Sequence, residues 1–290
     1  EAFKPNAVLV LGNLALTAFL GEDKSVTAWR GSITEGTLEG VSYKIVIGCH
    51  PAAILREPSQ LVLLRHDVSR AVAEAASSAL DLPRRVLDAP KHAYEVRDKL
   101  WAMREARQPI GHDIEGGCDV GVTVCSFASS PTHALCIPFR RMDWSQVWSD
   151  EDERFIRDSI RILLEDERVP KVAHNAAFEC FAWRWLHGIQ IQNVHDSMIA
   201  FHTLWPELDK GLEVVASILT RGCYWGTPKD WVTDADRDSY NVIDSCVCLE
   251  CWQALQREMT PAQRGYYGHS RALLEPCGEM SFVGLNYEAE

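Results

Sequence analysis

Asp113 and Glu115 are one residue apart in Pro109-Ile110-Gly111-His112-Asp113-Ile114-Glu115, a run that reads as a strand. Successive strand residues point to opposite faces, so both carboxylates leave the same face. Two like charges that close repel unless a cation lies between them, and hard carboxylate oxygens suit Mg²⁺ or Mn²⁺. Tyr240 and Asp244 stand four residues apart in Asp238-Ser239-Tyr240-Asn241-Val242-Ile243-Asp244, one above the other on a helix face. Asn175-Ala176-Ala177-Phe178-Glu179 follows a strand end and opens a helix, which puts an acid in its first turns. Taken singly, these are also what a solvated strand, an amphipathic helix and a helix N-terminus produce.

The elements that must position them follow from periodicity. Strands are expected from 109, over 120–128, over 133–139 and over 171–174, the first three as a meander. Ser149 to Glu167 carries Phe155, Ile156, Ile160, Leu163 and Leu164 on one side and predicts an amphipathic helix. Further helices are expected at 176–187, 197–204, 211–220 and 234–258. Nearer the start, Ala7 to Leu11 and Tyr43 to Gly48 read as strands, with helices at 14–20 and 59–80. Alternating strands and helices imply an α/β architecture with a largely parallel sheet. Pro83-Arg84-Arg85 and the polar stretch 91–107 suggest a linker over 83–108.

In order and spacing, Asp113-Ile114-Glu115, His174-Asn175-Ala176-Ala177-Phe178-Glu179 and Tyr240-Asn241-Val242-Ile243-Asp244 resemble the three exonuclease motifs of the 3′→5′ proofreading domain of family A DNA polymerases. His195 to Ala200, Leu204 to Leu208 and Lys210 to Ala216 are similar to the intervening segment, especially of phage-type members. The resemblance implies a ribonuclease H-like fold over 109–260, a mixed sheet flanked by helices. It also implies two divalent cations that activate water and neutralise charge on the phosphate and the leaving 3′ oxygen. Asp113 would bridge the cations, Glu115 and Asp244 would hold the one that activates the water, and Tyr240 with Glu115 would orient that water. Glu179 would serve the second cation; an Asp is commonest there, and Glu is one methylene longer. His174, Asn175 and Phe178 would hold the substrate, the 3′ end of single-stranded DNA. Asp196 is an alternative acid that reads better as a helix cap.

Residues 1–82 resemble the C-terminal half of a uracil-DNA glycosylase, a partial parallel-sheet α/β module, through Leu11-Gly12-Asn13-Leu14-Ala15, Trp29-Arg30-Gly31 and His50-Pro51-Ala52-Ala53-Ile54-Leu55-Arg56. His50 would be the remnant of its uracil-stabilising group, and Arg30, Arg56 and Arg65 could touch DNA. Residues 261–290, with Leu273-Leu274-Glu275-Pro276 and Gly284-Leu285-Asn286-Tyr287, resemble the start of a polymerase domain, expected in cis in a longer protein. Its catalytic motifs are not in this sequence. The start, Glu1-Ala2-Phe3-Lys4, suggests a fragment whose natural beginning lies upstream. Cys246, Cys248 and Cys251 read as small apolar residues on a packed helix.

The net charge of −12 argues against passive nucleic-acid binding. It is concentrated in residues 109–290, with 15 Lys+Arg against 28 Asp+Glu, while residues 1–108 hold 14 against 13. Bound cations would reverse the local field. No run approaches a membrane span, and scattered cysteines favour a reducing compartment, the cytoplasm. Two other functions fit the same residues: an exonuclease that trims RNA, and a noncatalytic nucleic-acid-binding scaffold.

Overall fold

The computed structural model describes residues 4–284 except 23 and 118. The chain forms two compact units, one of residues 1–84 with 207–225, the other of 85–206 with 226–290.

In the first unit, β1 (Val8–Leu11), α1 (Asn13–Leu20) and α2 (Val26–Trp29) precede the strands β2 (Ile33–Leu38) and β3 (Val41–Gly48). Then come α3 (Pro51–Ile54) and α4 (Leu61–Glu74), the latter ending short of the expected 80. Strand β1 pairs parallel with β3, as anticipated, but β2 pairs antiparallel with it, so this sheet is mixed rather than parallel. The overlooked strand is joined to β3 by Glu39-Gly40, both at positive φ, a two-residue hairpin turn. Val10, Leu16, Ile45 and Ile47 form the small core.

Residues 207–225, expected within the second module, belong to this unit. They carry the helix α9 (Leu212–Leu219). Ile33 N donates to Gly222 O at 2.9 Å, Tyr224 N to Ser32 Oγ at 2.9 Å, and Arg221 pairs with Glu74 at 2.7 Å. Buried Arg30 bonds both Asp67 and Ser217.

The second unit is built on a six-stranded sheet in the order β4-β7-β6-β5-β8-β9, from β4 (Val86–Asp88), β5 (Ile110–Gly117), β6 (Gly121–Ser130), β7 (His133–Pro138), β8 (Lys171–Ala173) and β9 (Val194–Asp196). The expected meander is β5-β6-β7, antiparallel throughout, while β8 lies parallel to β5 and β9 parallel to β8. The stretch expected as a linker is structured: β4 pairs with β7, and α5 (Ala93–Ala106) buries Ala93, Val96 and Leu100 in the core. Its charged outer face, with Glu95, Arg97 and Asp98, hides that apolar stripe.

Alternation along β5 sorts the two faces. Ile110 and Ile114 join the core with residues of α5, α6 (Asp150–Leu164) and α7 (Ala177–His187). On this face His112 accepts from Trp183 Nε1 at 2.8 Å and donates through Nδ1 to Ser126 O at 3.0 Å; burial holds its pKa down at about 4. Gly111, Asp113 and Glu115 face the other way, toward α10 (Asp234–Glu258). A Cβ at Gly111 would overlap the carbonyl oxygen of Ser245, so glycine lets α10 lie directly on the strand. Cys246, Cys248 and Cys251 are buried on α10, in keeping with the packed-helix reading. Helix α8 (Ser197–Leu204) follows β9.

The C-terminal residues continue as α11 (Pro261–Ala272) and α12 (Leu274–Val283). Leu285-Asn286-Tyr287 lies outside the described residues. Among the described residues no helix is long and apolar enough to cross a membrane.

Candidate metal centre

Asp113 and Glu115 from β5 meet Asp244 from α10, with one ligand atom of each within 4.8 Å of the others. The strand supplies its pair through period-two geometry, and the close approach permitted at Gly111 brings Asp244 over them. Burial raises the pKa of Asp113 well above the usual carboxylate range, reinforced by Asp244, Glu115 and Glu179. Burial likewise lifts Glu115 to about 7, opposed by Arg237. Asn241 Nδ2 donates to Asp113 Oδ2 at 2.6 Å. Its backbone carbonyl accepts from Ser126 Oγ at 2.9 Å, fixing α10 to β6.

Glu179 sits in the first turn of α7, buried, and its Oε2 has no hydrogen-bond partner. It is not one of the three that converge, yet it lies near enough to raise Asp113. Its own pKa is raised well above normal by burial, then by Asp196 and Glu115. An orphaned buried carboxylate oxygen beside three crowded carboxylates is a donor set that fits hard divalent cations.

Tyr240 lies one turn before Asp244 and is hydrogen-bonded to it; burial and the three acids drive its phenol pKa far up. Trp231 packs edge-on against its ring at 5.5 Å. His174 shares a hydrogen bond with Ser197 Oγ at 2.8 Å, Asn175 is exposed with φ of 66°, and Phe178 is exposed beside Glu179. Asp196 is occupied otherwise. It accepts from Met198 N and Ile199 N at the start of α8, and from Asn175 N and Ala176 N at the start of α7.

His50 lies in the other unit, where its Nδ1 accepts from Ala52 N at 3.1 Å and caps α3. Arg30 is tied to Asp67 rather than displayed. Two residues near the acids were missed. Asn241 was detectable as a poor helix former held between Tyr240 and Asp244. Arg237, buried and donating to Arg140 O at 2.7 Å, carried no sequence signal.

In metal-free buffer the raised carboxyl pKa values make stability fall with pH. A folded-state pKa above the unfolded one favours folding below the unfolded value, and that gain is lost as pH rises through the folded value. For Glu115 the window runs from its ordinary 4.5 to about 7. Thermal unfolding in chelator is therefore expected to occur several degrees lower at about pH 8 than at about pH 5, with Mg²⁺ restoring more at the higher pH. A midpoint that rises over this range in chelator would contradict the crowded-acid account.

No protein-family model and no curated protein matches the sequence. Among solved structures the chain is similar to Brucella melitensis NrnC with bound Mg²⁺, at 14% identity and TM-score 0.50, over 71% of this chain and 98% of that one. A structure described as the apo form of a nuclease matches at 14% identity and TM-score 0.50, over 73% and 100%. The POL domain of Pol1 from M. smegmatis with DNA primer-template and dNTP matches at 16% identity and TM-score 0.44, over 59% of this chain but 27% of that one. The fold is α/β, a mixed sheet flanked by helices, and is similar to the folds of NrnC and of that nuclease.

Proposed function

We propose that the second unit is a 3′→5′ exonuclease that hydrolyses single-stranded DNA with two divalent cations, Mg²⁺ or Mn²⁺, as the proofreading part of a phage-type family A polymerase working in the host cytoplasm. The observation that carries the reading is the convergence of Asp113, Glu115 and Asp244, from a strand and a distant helix, beside buried Glu179. The ordered motifs and the polymerase-like C-terminal segment favour DNA and a polymerase in cis.

Bound cations would acidify the attacking water and neutralise the phosphate and leaving oxygen. Asp113 would serve both cations, Glu115 and Asp244 would hold the one that activates the water, and Glu179 would serve the second. The Tyr240 hydroxyl, with its pKa far above neutrality, stays protonated and can donate a hydrogen bond, and with Glu115 it would orient the attacking water. Asn241 holds one Asp113 oxygen in place. His174, Asn175 and Phe178 would hold the terminal nucleotide.

The test is Mg²⁺-dependent shortening of matched 5′-labelled DNA and RNA oligonucleotides. A ladder shortened from the 3′ end, faster on DNA, is expected. Faster trimming of RNA would move the substrate assignment to RNA, and no cleavage of either would favour a noncatalytic scaffold.

The first unit is read as a glycosylase-like remnant without uracil excision. A glycosylase must hold the flipped base, position a water and stabilise the uracil anion, and only the last has a candidate, His50. Unstacking costs a few kcal/mol that an anion-stabilising group alone does not offset. Uracil-dependent, alkali-sensitive breaks in 3′-blocked DNA that vanish in His50→Ala would overturn this.

A further inference from the structure

We infer that the loop after β7, residues 139–147, is a stacking platform for bases of the single strand upstream of the cleaved nucleotide. The inference rests on the exonuclease reading and adds a binding subsite to it.

Sheet register places the loop beside the acids. Pro138, the last residue of β7, pairs with Val124, and Val124 pairs with Glu115. Neighbouring strands are about 4.8 Å apart, so the loop leaves the sheet about 10 Å from Glu115 at the same level. The helix gives the same neighbourhood. Met142 N donates to Asp234 Oδ1 at 2.7 Å, and Asp234 lies six residues before Tyr240 on α10, about 9 Å along its axis. Three stacked nucleotides at about 3.4 Å each cover that distance.

The loop is held stiffly and displays apolar groups. Arg140 is bound to Glu153 at 2.8 Å, and Arg237 donates to Arg140 O at 2.7 Å, which fixes its root. Nearer the tip, Asp143 Oδ1 accepts from Ser145 N at 2.9 Å, and Arg141 donates to Gln146 O at 2.8 Å. These bonds hold Trp144 at φ 68°, a left-handed backbone that a bulky side chain rarely adopts. Trp144 in this strained backbone is 58% exposed. Met142 is 43% exposed, and Val232, two residues before α10, is 83% exposed. An exposed indole on a hydrogen-bonded loop near the proposed cleavage site matches what bases stack on, and stacking tolerates any sequence, as an exonuclease requires.

Two substrates separate this inference from the reading beneath it. The p-nitrophenyl ester of thymidine 5′-monophosphate fills only the cleavage site, whereas a twelve-nucleotide strand would also reach the loop. Trp144→Gly keeps the backbone conformation and removes the ring; Trp144→Phe keeps a ring. The expected result is a KM on the strand raised about tenfold in Trp144→Gly and largely recovered in Trp144→Phe, with kcat and ester hydrolysis at the parent level. An unchanged strand KM in Trp144→Gly would overturn the platform, as would an equal loss on strand and ester. If the parent protein hydrolyses neither substrate, the exonuclease reading fails and the platform falls with it.

Discussion

Asp113→Asn and Asp244→Ala are each expected to abolish hydrolysis, by roughly 10³-fold or more, while the metal-free protein becomes no less stable. The two effects arise from the same crowding. Asp113 is buried and feels Asp244, Glu115 and Glu179 together, so the site without cations contains mutual repulsion that either replacement relieves. In the proposed mechanism the same carboxylates would supply the ligands once cations bind, and losing the central one would remove both the electrostatic support of the reacting phosphate and the positioning of the water. Activity measured with Mg²⁺ and unfolding measured in chelator should therefore move in opposite directions. A folded Asp113→Asn protein that digests DNA at the parent rate would rule out its role, and a steep loss of metal-free stability would make it a structural acid.

Glu179→Ala and Asp196→Ala are expected to fail in different ways. Glu179 has an unbonded buried oxygen and sits beside Asp113, so its loss should lower turnover by roughly 10²-fold with little change in substrate binding or in stability. Glu179→Asp should retain activity, since it keeps the charge at the position where a shorter acid is common. Asp196 accepts four backbone N–H groups at the starts of α7 and α8, one of them on buried Ala176. Removing it strands those donors and should cost about 2–4 kcal/mol of stability. Calorimetry and steady-state kinetics on both variants separate the roles. Parent turnover in Glu179→Ala, with a stable but inactive Asp196→Ala, would reverse the choice of acid.

The placement of Asp113 and Glu115 on one strand face, and of Tyr240 one turn before Asp244, could be read from local periodicity because each depends only on near neighbours in the chain. The meander, α6 and α10 were legible for the same reason. What local pattern does not carry is which distant segment an element packs on. Arg221 reaches Glu74 across the chain, so assigning 207–225 to the first unit requires the folded structure. Helix α5 looked like linker because its charged face dominates the composition, although Ala93, Val96 and Leu100 recur at helical spacing. Strand β2 was hidden by Thr34, Glu35, Gly36 and Thr37, a polar run that holds its place by pairing with β3. Asn241 was visible between two chosen residues, but its bond to Asp113 depends on how closely α10 crosses β5.

The most direct measurement is the fate of a single-stranded DNA labelled on its 3′-terminal nucleotide, incubated with the purified chain in chelator and then with Mg²⁺ restored. The label is expected to stay with the strand in chelator and to leave as a mononucleotide from the first turnover once Mg²⁺ is added, with no release by Asp113→Ala. Release that proceeds in chelator or in folded Asp113→Ala, or a label that remains on the strand with Mg²⁺ present, would contradict the assignment of these carboxylates to a metal-dependent 3′→5′ exonuclease.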